Sequence, residues 1–85
     1  MAKDHYGAQA YRQDGQGRLE RGQSEACRDA DQARRRAELL ACKRGVAGAT
    51  AFLIPNYTRE YGGDDPITIA VYGEVPPEAR DALPF

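Results

Sequence analysis

The spacing of apolar residues changes twice along the chain. Between Asp4 and Arg12, Tyr6, Ala8 and Ala10 alternate with His5, Gly7, Gln9 and Tyr11, a period of two that predicts a strand. Asp14-Gly15-Gln16-Gly17 follows with the residue types of a turn. Arg18 to Arg21 suits the returning arm of a hairpin, but with Leu19 as its one apolar residue it predicts an edge strand or a loop. From Ala26 the period lengthens. Ala26, Ala30, Ala33, Ala37, Leu40 and Arg44 step by three and four, one stripe of a helix that Leu39 and Ala41 widen. Asp29 fits the N-cap with Gln32 as its reciprocal partner, and Asp31 adds negative charge to the first turn. Lys43 and Arg44 suit the opposite pole of the dipole, and Gly45 offers the left-handed residue that ends a helix. The spacing therefore predicts a helix over 29–44.

The period of two then returns. Ala47 to Ile54 is an apolar run, and Ile67 to Tyr72 is the cleanest alternating strand in the chain. Between them Tyr57 to Tyr61 alternates again before Gly62-Gly63-Asp64-Asp65-Pro66, a turn cluster, so the two strands are expected to pair as an antiparallel hairpin. Pro55 cannot donate to a central ladder and marks a bulge, an edge position or a strand end. The expected architecture is α+β: one α-helix packed on a small three- to four-stranded antiparallel sheet, in the order β-(β)-α-β-β. Residues 1–85 make a single small domain, with 1–3 and 77–85 as flexible or loosely docked ends and one helical turn possible from Pro77.

Composition makes that core thin. Of 85 residues 41% are hydrophobic, but fourteen of these are Ala. Leu, Ile, Val and Phe together number thirteen, about 15% of the chain, below the roughly 20% usual for a well-filled core. Only Leu19 among those thirteen precedes position 39. Some supplement is expected in a domain of this size, and disulfides, a metal or a second subunit are the usual ones. Phe52, Ile54, Ile67, Ile69 and Val71 can share one sheet face, the expected bed for the helix. Ala51, Leu53, Ala70 and Tyr72 then form a semi-apolar opposite face, with Tyr11 as a possible addition, and one helix cannot cover both. That second face is the candidate association surface, and a two-fold homodimer is the expected partner arrangement.

Candidate chemistry is sparse. Cys27 and Cys42 flank the helical stretch, which holds their backbones on the order of 20 Å apart, too far for a disulfide. The single His5 is remote from both thiols, so no metal-ligand spacing exists. Without a base beside a nucleophile no catalytic constellation is expected, and no cofactor. Asp64 and Asp65 serve the turn, and Gly15-Gln16-Gly17 lacks the third glycine and the following helix of a phosphate loop. No apolar run approaches the length of a membrane span, and the N-terminal residues lack the apolar core of a signal peptide, so a cytoplasmic protein is expected. Arg outnumbers Lys ten to two, which with the abundance of Ala suits a GC-rich bacterial source.

Charge refines the picture. The net charge is -1, yet residues 1–48 carry +3 and residues 49–85 carry -4. Arg34, Arg35 and Arg36 fan across the solvent side of the helix, with Asp31 and Arg35 spaced as an i,i+4 pair. Together with Tyr57, Arg59 and Tyr61 they are the candidate contacts for an alternative function, weak binding of nucleic acid through cations and stacking rings. A sequence pI of 5.8 weighs against it. The first expectation is a non-enzymatic protein that acts by protein-protein association, as a homodimer or with another protein partner.

Overall fold

The computed structural model describes residues 3–58, 60 and 62–77. Five elements follow in order: β1 (Lys3–Gln13), β2 (Leu19–Cys27), α1 (Ala30–Ala41), β3 (Gly48–Tyr57) and β4 (Ile67–Gly73). Every strand pairing is antiparallel and the sheet order is β2-β1-β3-β4. The fold is α+β, one helix on a four-stranded antiparallel sheet. Of the expected loose ends, Lys3 belongs to β1, while residues 1, 2 and 78–85 lie outside the described residues, with the helical turn expected from Pro77.

The first hairpin closes on Asp14. Its Oδ1 accepts hydrogen bonds from the backbone N–H groups of Gln16 (2.8 Å) and Arg18 (2.9 Å), and Gly17 supplies a φ of 82°. The returning strand β2 is a full nine residues despite its single large aliphatic. It lies at the sheet edge, where the ladder to β1 replaces the apolar face that an inner strand needs.

The helix starts as its capping residues dictate. The Asp29 side chain accepts from Gln32 N–H at 2.8 Å, and Gln32 Oε1 accepts in return from the N–H of Arg28 at 2.6 Å. At the other end the helix is shorter than 29–44. It stops at Ala41, with the N–H of Cys42 donating to the Leu39 carbonyl (3.2 Å) and that of Lys43 to the Leu40 carbonyl (3.1 Å). Lys43 and Arg44 belong to the following turn, and Gly45, with φ 82°, is left-handed there and not at the helix cap. Period alone carried the stripe one turn too far, because Arg44 falls on it without being part of the core.

Pro55 sits where a missing donor costs little. β4 stops pairing at Leu53↔Ile67, so Pro55 faces no ladder on that side, and on the β1 side the register slips between His5↔Ile54 and Lys3↔Tyr57. Asn56 absorbs the slip with a φ of 54°, the one non-glycine left-handed residue among those described.

The two faces are assigned the opposite way from the expectation. Ala51 is 0% exposed, and Ala70 and Tyr72 pack against the cluster that the helix covers, with Leu53 half-buried opposite Tyr6. The buried cluster is Ala8, Ala10, Ala33, Ala37, Leu40, Ala49 and Ala51, six alanines and one leucine. The expected helix bed splits up instead. Phe52 and Val71 pair with Gly7 and Thr50 on the face away from the helix, and Ile54 with His5. Ile69 joins the helix side, because the register shift between Ala51 and Phe52 inserts an extra residue in β4 there. The cause is size. Where the helix buries Ala33 and Ala37 it can approach its bed closely, and the small Ala8, Ala10, Ala49 and Ala51 leave room for that approach, with Leu40 as the one larger residue of the stripe in the cluster.

Candidate functional site

The surface away from the helix carries side chains of its own. Phe52 lies across Gly7: a Cβ built on Gly7 would come within 2.5 Å of the ring's Cζ, so the glycine makes room for the aromatic of the neighbouring strand. His5 stacks on Tyr57 with ring centroids 4.6 Å apart and planes at 28°, and stands 6.4 Å from Phe52. Thr50, on the same face, is buried between these strands. At the Gly48 end the chain covers this face itself. Gly73, with φ 74°, turns β4 into Glu74, whose N–H bonds to the carbonyl of Ala47 (3.0 Å) and whose backbone lies against Gly48. Glu74 Oε2 accepts from Gln13 Nε2 at 3.3 Å, and Val75 is buried. What remains of the face is the half-buried set Phe52, Ile54 and Val71 with the His5–Tyr57 stack.

The proposed nucleic-acid contacts are partly dispersed. Arg34 pairs with Asp31 at 2.9 Å, an i,i+3 bridge in place of the expected Asp31–Arg35 pair, since the Arg34 guanidinium reaches Asp31 first. Arg36 reaches Glu25 on β2 at 3.8 Å. The Arg34–Asp31 pair is largely exposed and adds little to stability, while in the second pair Arg36 is exposed and Glu25 half-buried. Arg35 is exposed and carries no ion pair among the described residues. Tyr57 ends β3. Thr58 and Gly62 bridge each other through mutual backbone hydrogen bonds, so the chain reverses between them. Arg59 and Tyr61 lie outside the described residues.

Redox and metal chemistry find little to build on. Cys27 and Cys42 are both free, the first half-buried at the end of β2 and the second exposed. Burial pushes the Cys27 thiol above its ordinary 9.0, the Glu25 carboxylate adds to that, and Arg36 opposes it. The thiolate is thereby disfavoured. Among the described residues no group of three or more His, Cys, Asp or Glu side chains is placed to hold a metal ion. No described helix is long and apolar enough to cross a membrane.

Two features remain as candidate surfaces. One is the half-apolar sheet face; the other is the outer edge of β4, an uncharged strand at the end of the sheet. Alternation along β4 was legible in the sequence, but its edge position was not, because the insertion of β1 between β2 and β3 is a long-range pairing. Comparison of the chain with protein-family models, with curated proteins and with solved structures gives no match.

Proposed function

We propose that this protein acts without catalysis, by protein-protein association, and that its working form in the cytosol is a homodimer. The observation that carries this reading is the core. Six of seven residues in the buried cluster are alanines, so the side-chain area removed from water is small for a chain of 85 residues. No disulfide supplements it, since both cysteines are free. A second subunit is the remaining supplement that this composition allows. Sedimentation velocity over a roughly hundredfold concentration range tests the reading. A dimer that dissociates only at the dilute end, and that is insensitive to salt, supports it. A compact monomer throughout refutes it.

A second reading, weak nucleic-acid binding, is favoured by one observation: Arg35 stands exposed with no ion pair among the described residues, beside Arg34 and Arg36, which remain about half exposed in their pairs with Asp31 and half-buried Glu25. Its signature is affinity for oligonucleotides that falls steeply with ionic strength. No shift of a labelled single- or double-stranded oligonucleotide at low salt eliminates it.

A further inference from the structure

The two sheet edges are unlike. β2 carries Glu20, Arg21 and Glu25 in nine residues, and such charges discourage a further strand from adding there. β4 reads Ile67-Thr68-Ile69-Ala70-Val71-Tyr72-Gly73, β-branched and aromatic, with no charge and no proline. The ladder fixes which of its backbone groups face outward. Glu74 N–H bonds to the Ala47 carbonyl, and the register runs through Gly48↔Gly73, Ala49↔Tyr72, Thr50↔Val71 and Ala51↔Ala70. Hydrogen-bonded and non-hydrogen-bonded pairs alternate, so Tyr72 and Ala70 exchange bonds with β3 while Val71 does not. The N–H and C=O of Val71 therefore point away from β3, to the outer edge. Gly73 then turns the chain toward Gly48 and Gln13, away from that edge. Among the described residues no further backbone bond reaches Val71.

We infer that a second copy of this chain occupies the edge. β4 pairs antiparallel with the β4 of its copy about a two-fold axis normal to the sheet, giving one continuous eight-stranded sheet with both helices on the same side. The inference rests on the homodimer reading and names its surface. A two-fold axis generates antiparallel self-pairing, and an uncharged strand meets no like charge when it faces itself. Half-buried Ile69 and Tyr72, packed at the margin of the helix-covered cluster, lie beside the axis and lose water on pairing. The apolar supplement thus falls where the alanine core is shortest of area. On the other face Val71, next to Thr50 and Phe52, meets its counterpart.

The test is Val71→Pro. Because the Val71 N–H serves no bond within the sheet, proline removes no ladder bond of the protomer and is tolerated at such an edge position. It removes the donor that the second copy needs. The variant is expected to keep the circular dichroism of the folded chain and to sediment as a monomer where the wild type is a dimer, with association weakened on the order of a hundredfold. Val71→Lys is expected to do the same by placing like charges beside the axis. If either folded variant dimerises with unchanged affinity, the edge is not the interface, although the homodimer reading stands. If the wild type is itself a monomer, that reading fails and the edge inference with it. Should both variants fail to fold, amide exchange of Val71 in the wild type decides: slow exchange that accelerates on dilution supports edge pairing, and rapid exchange at all concentrations overturns it.

Discussion

Among the described residues Leu40 is the one large side chain that is fully buried, at 1% exposure, and the rest of its buried cluster is alanine. Truncation to alanine removes three carbons. At about 0.8 kcal/mol per buried methylene the transfer loss is about 2.4 kcal/mol. The cavity adds to this, because the other buried members of the cluster are alanines with little side chain to move into the gap, leaving the half-buried residues at its margin, such as Val46 and Ile69, to relax. The expected total for Leu40→Ala is about 3–4 kcal/mol, toward the middle of the range measured for buried leucines in other proteins. A domain this size has about 4–13 kcal/mol in total, at roughly 0.05–0.15 kcal/mol per residue. Such a loss is a large share of it and corresponds to a fall in melting temperature of about 12–30 °C. Urea unfolding followed by circular dichroism at fixed protein concentration measures it, with the midpoint falling and the slope unchanged. A loss below about 1 kcal/mol would mean that the helix is not held by this contact, and the description of the core would be wrong.

Three further perturbations follow from particular contacts. Asp29→Ala removes the acceptor for Gln32 N–H and is expected to cost about 1 kcal/mol, read from the same unfolding curves. Gly48→Ala would drive a Cβ into the Glu74 backbone and displace the segment that crosses the open face, costing roughly 1–3 kcal/mol, whereas Gly15→Ala, with nothing within 4 Å, stays within about 0.5 kcal/mol. Iodoacetamide at about pH 8 is expected to modify exposed Cys42 well before Cys27, whose thiol is half-buried and held protonated, and mass spectrometry of the peptides reads the order. Because the folded chain holds the Cys27 proton more tightly than the unfolded one, that group's contribution to stability is complete below about pH 9 and is lost as pH rises beyond it.

Local signals were readable in the sequence where a residue type has one physical use. Asp29 and Gln32 cap the helix and Asp14 and Gly17 close the first hairpin, as their types imply, and of the bulge, edge position or strand end that Pro55 allows, the structure has the bulge. Side-chain size alone misassigns the two faces, because the largest aliphatics of β3 and β4 do not together form the helix bed. The signal that decides it is also in the sequence, as matched small residues: Ala8 and Ala10, Ala49 and Ala51, and Ala33 and Ala37 are three alanine pairs, at strand and helix spacing, that meet in one cluster. Gly7 opposite Phe52 marks the other face by the same logic. The sheet order stayed hidden, since pairing β1 with β3 is a contact across about forty residues that no local pattern encodes. For the same reason Arg34, Arg35 and Arg36 could be placed on the solvent side while the partnership of Arg36 with Glu25 could not.

If the core of alanines is completed between two chains, as proposed, folding and association are linked. Thermal unfolding measured over a roughly hundredfold range of protein concentration tests it most directly. The expected result is a midpoint that rises steadily with concentration in the wild type and a lower, concentration-independent midpoint in Val71→Pro. A wild-type midpoint that does not move over that range would contradict it, for the chain would then complete its core alone.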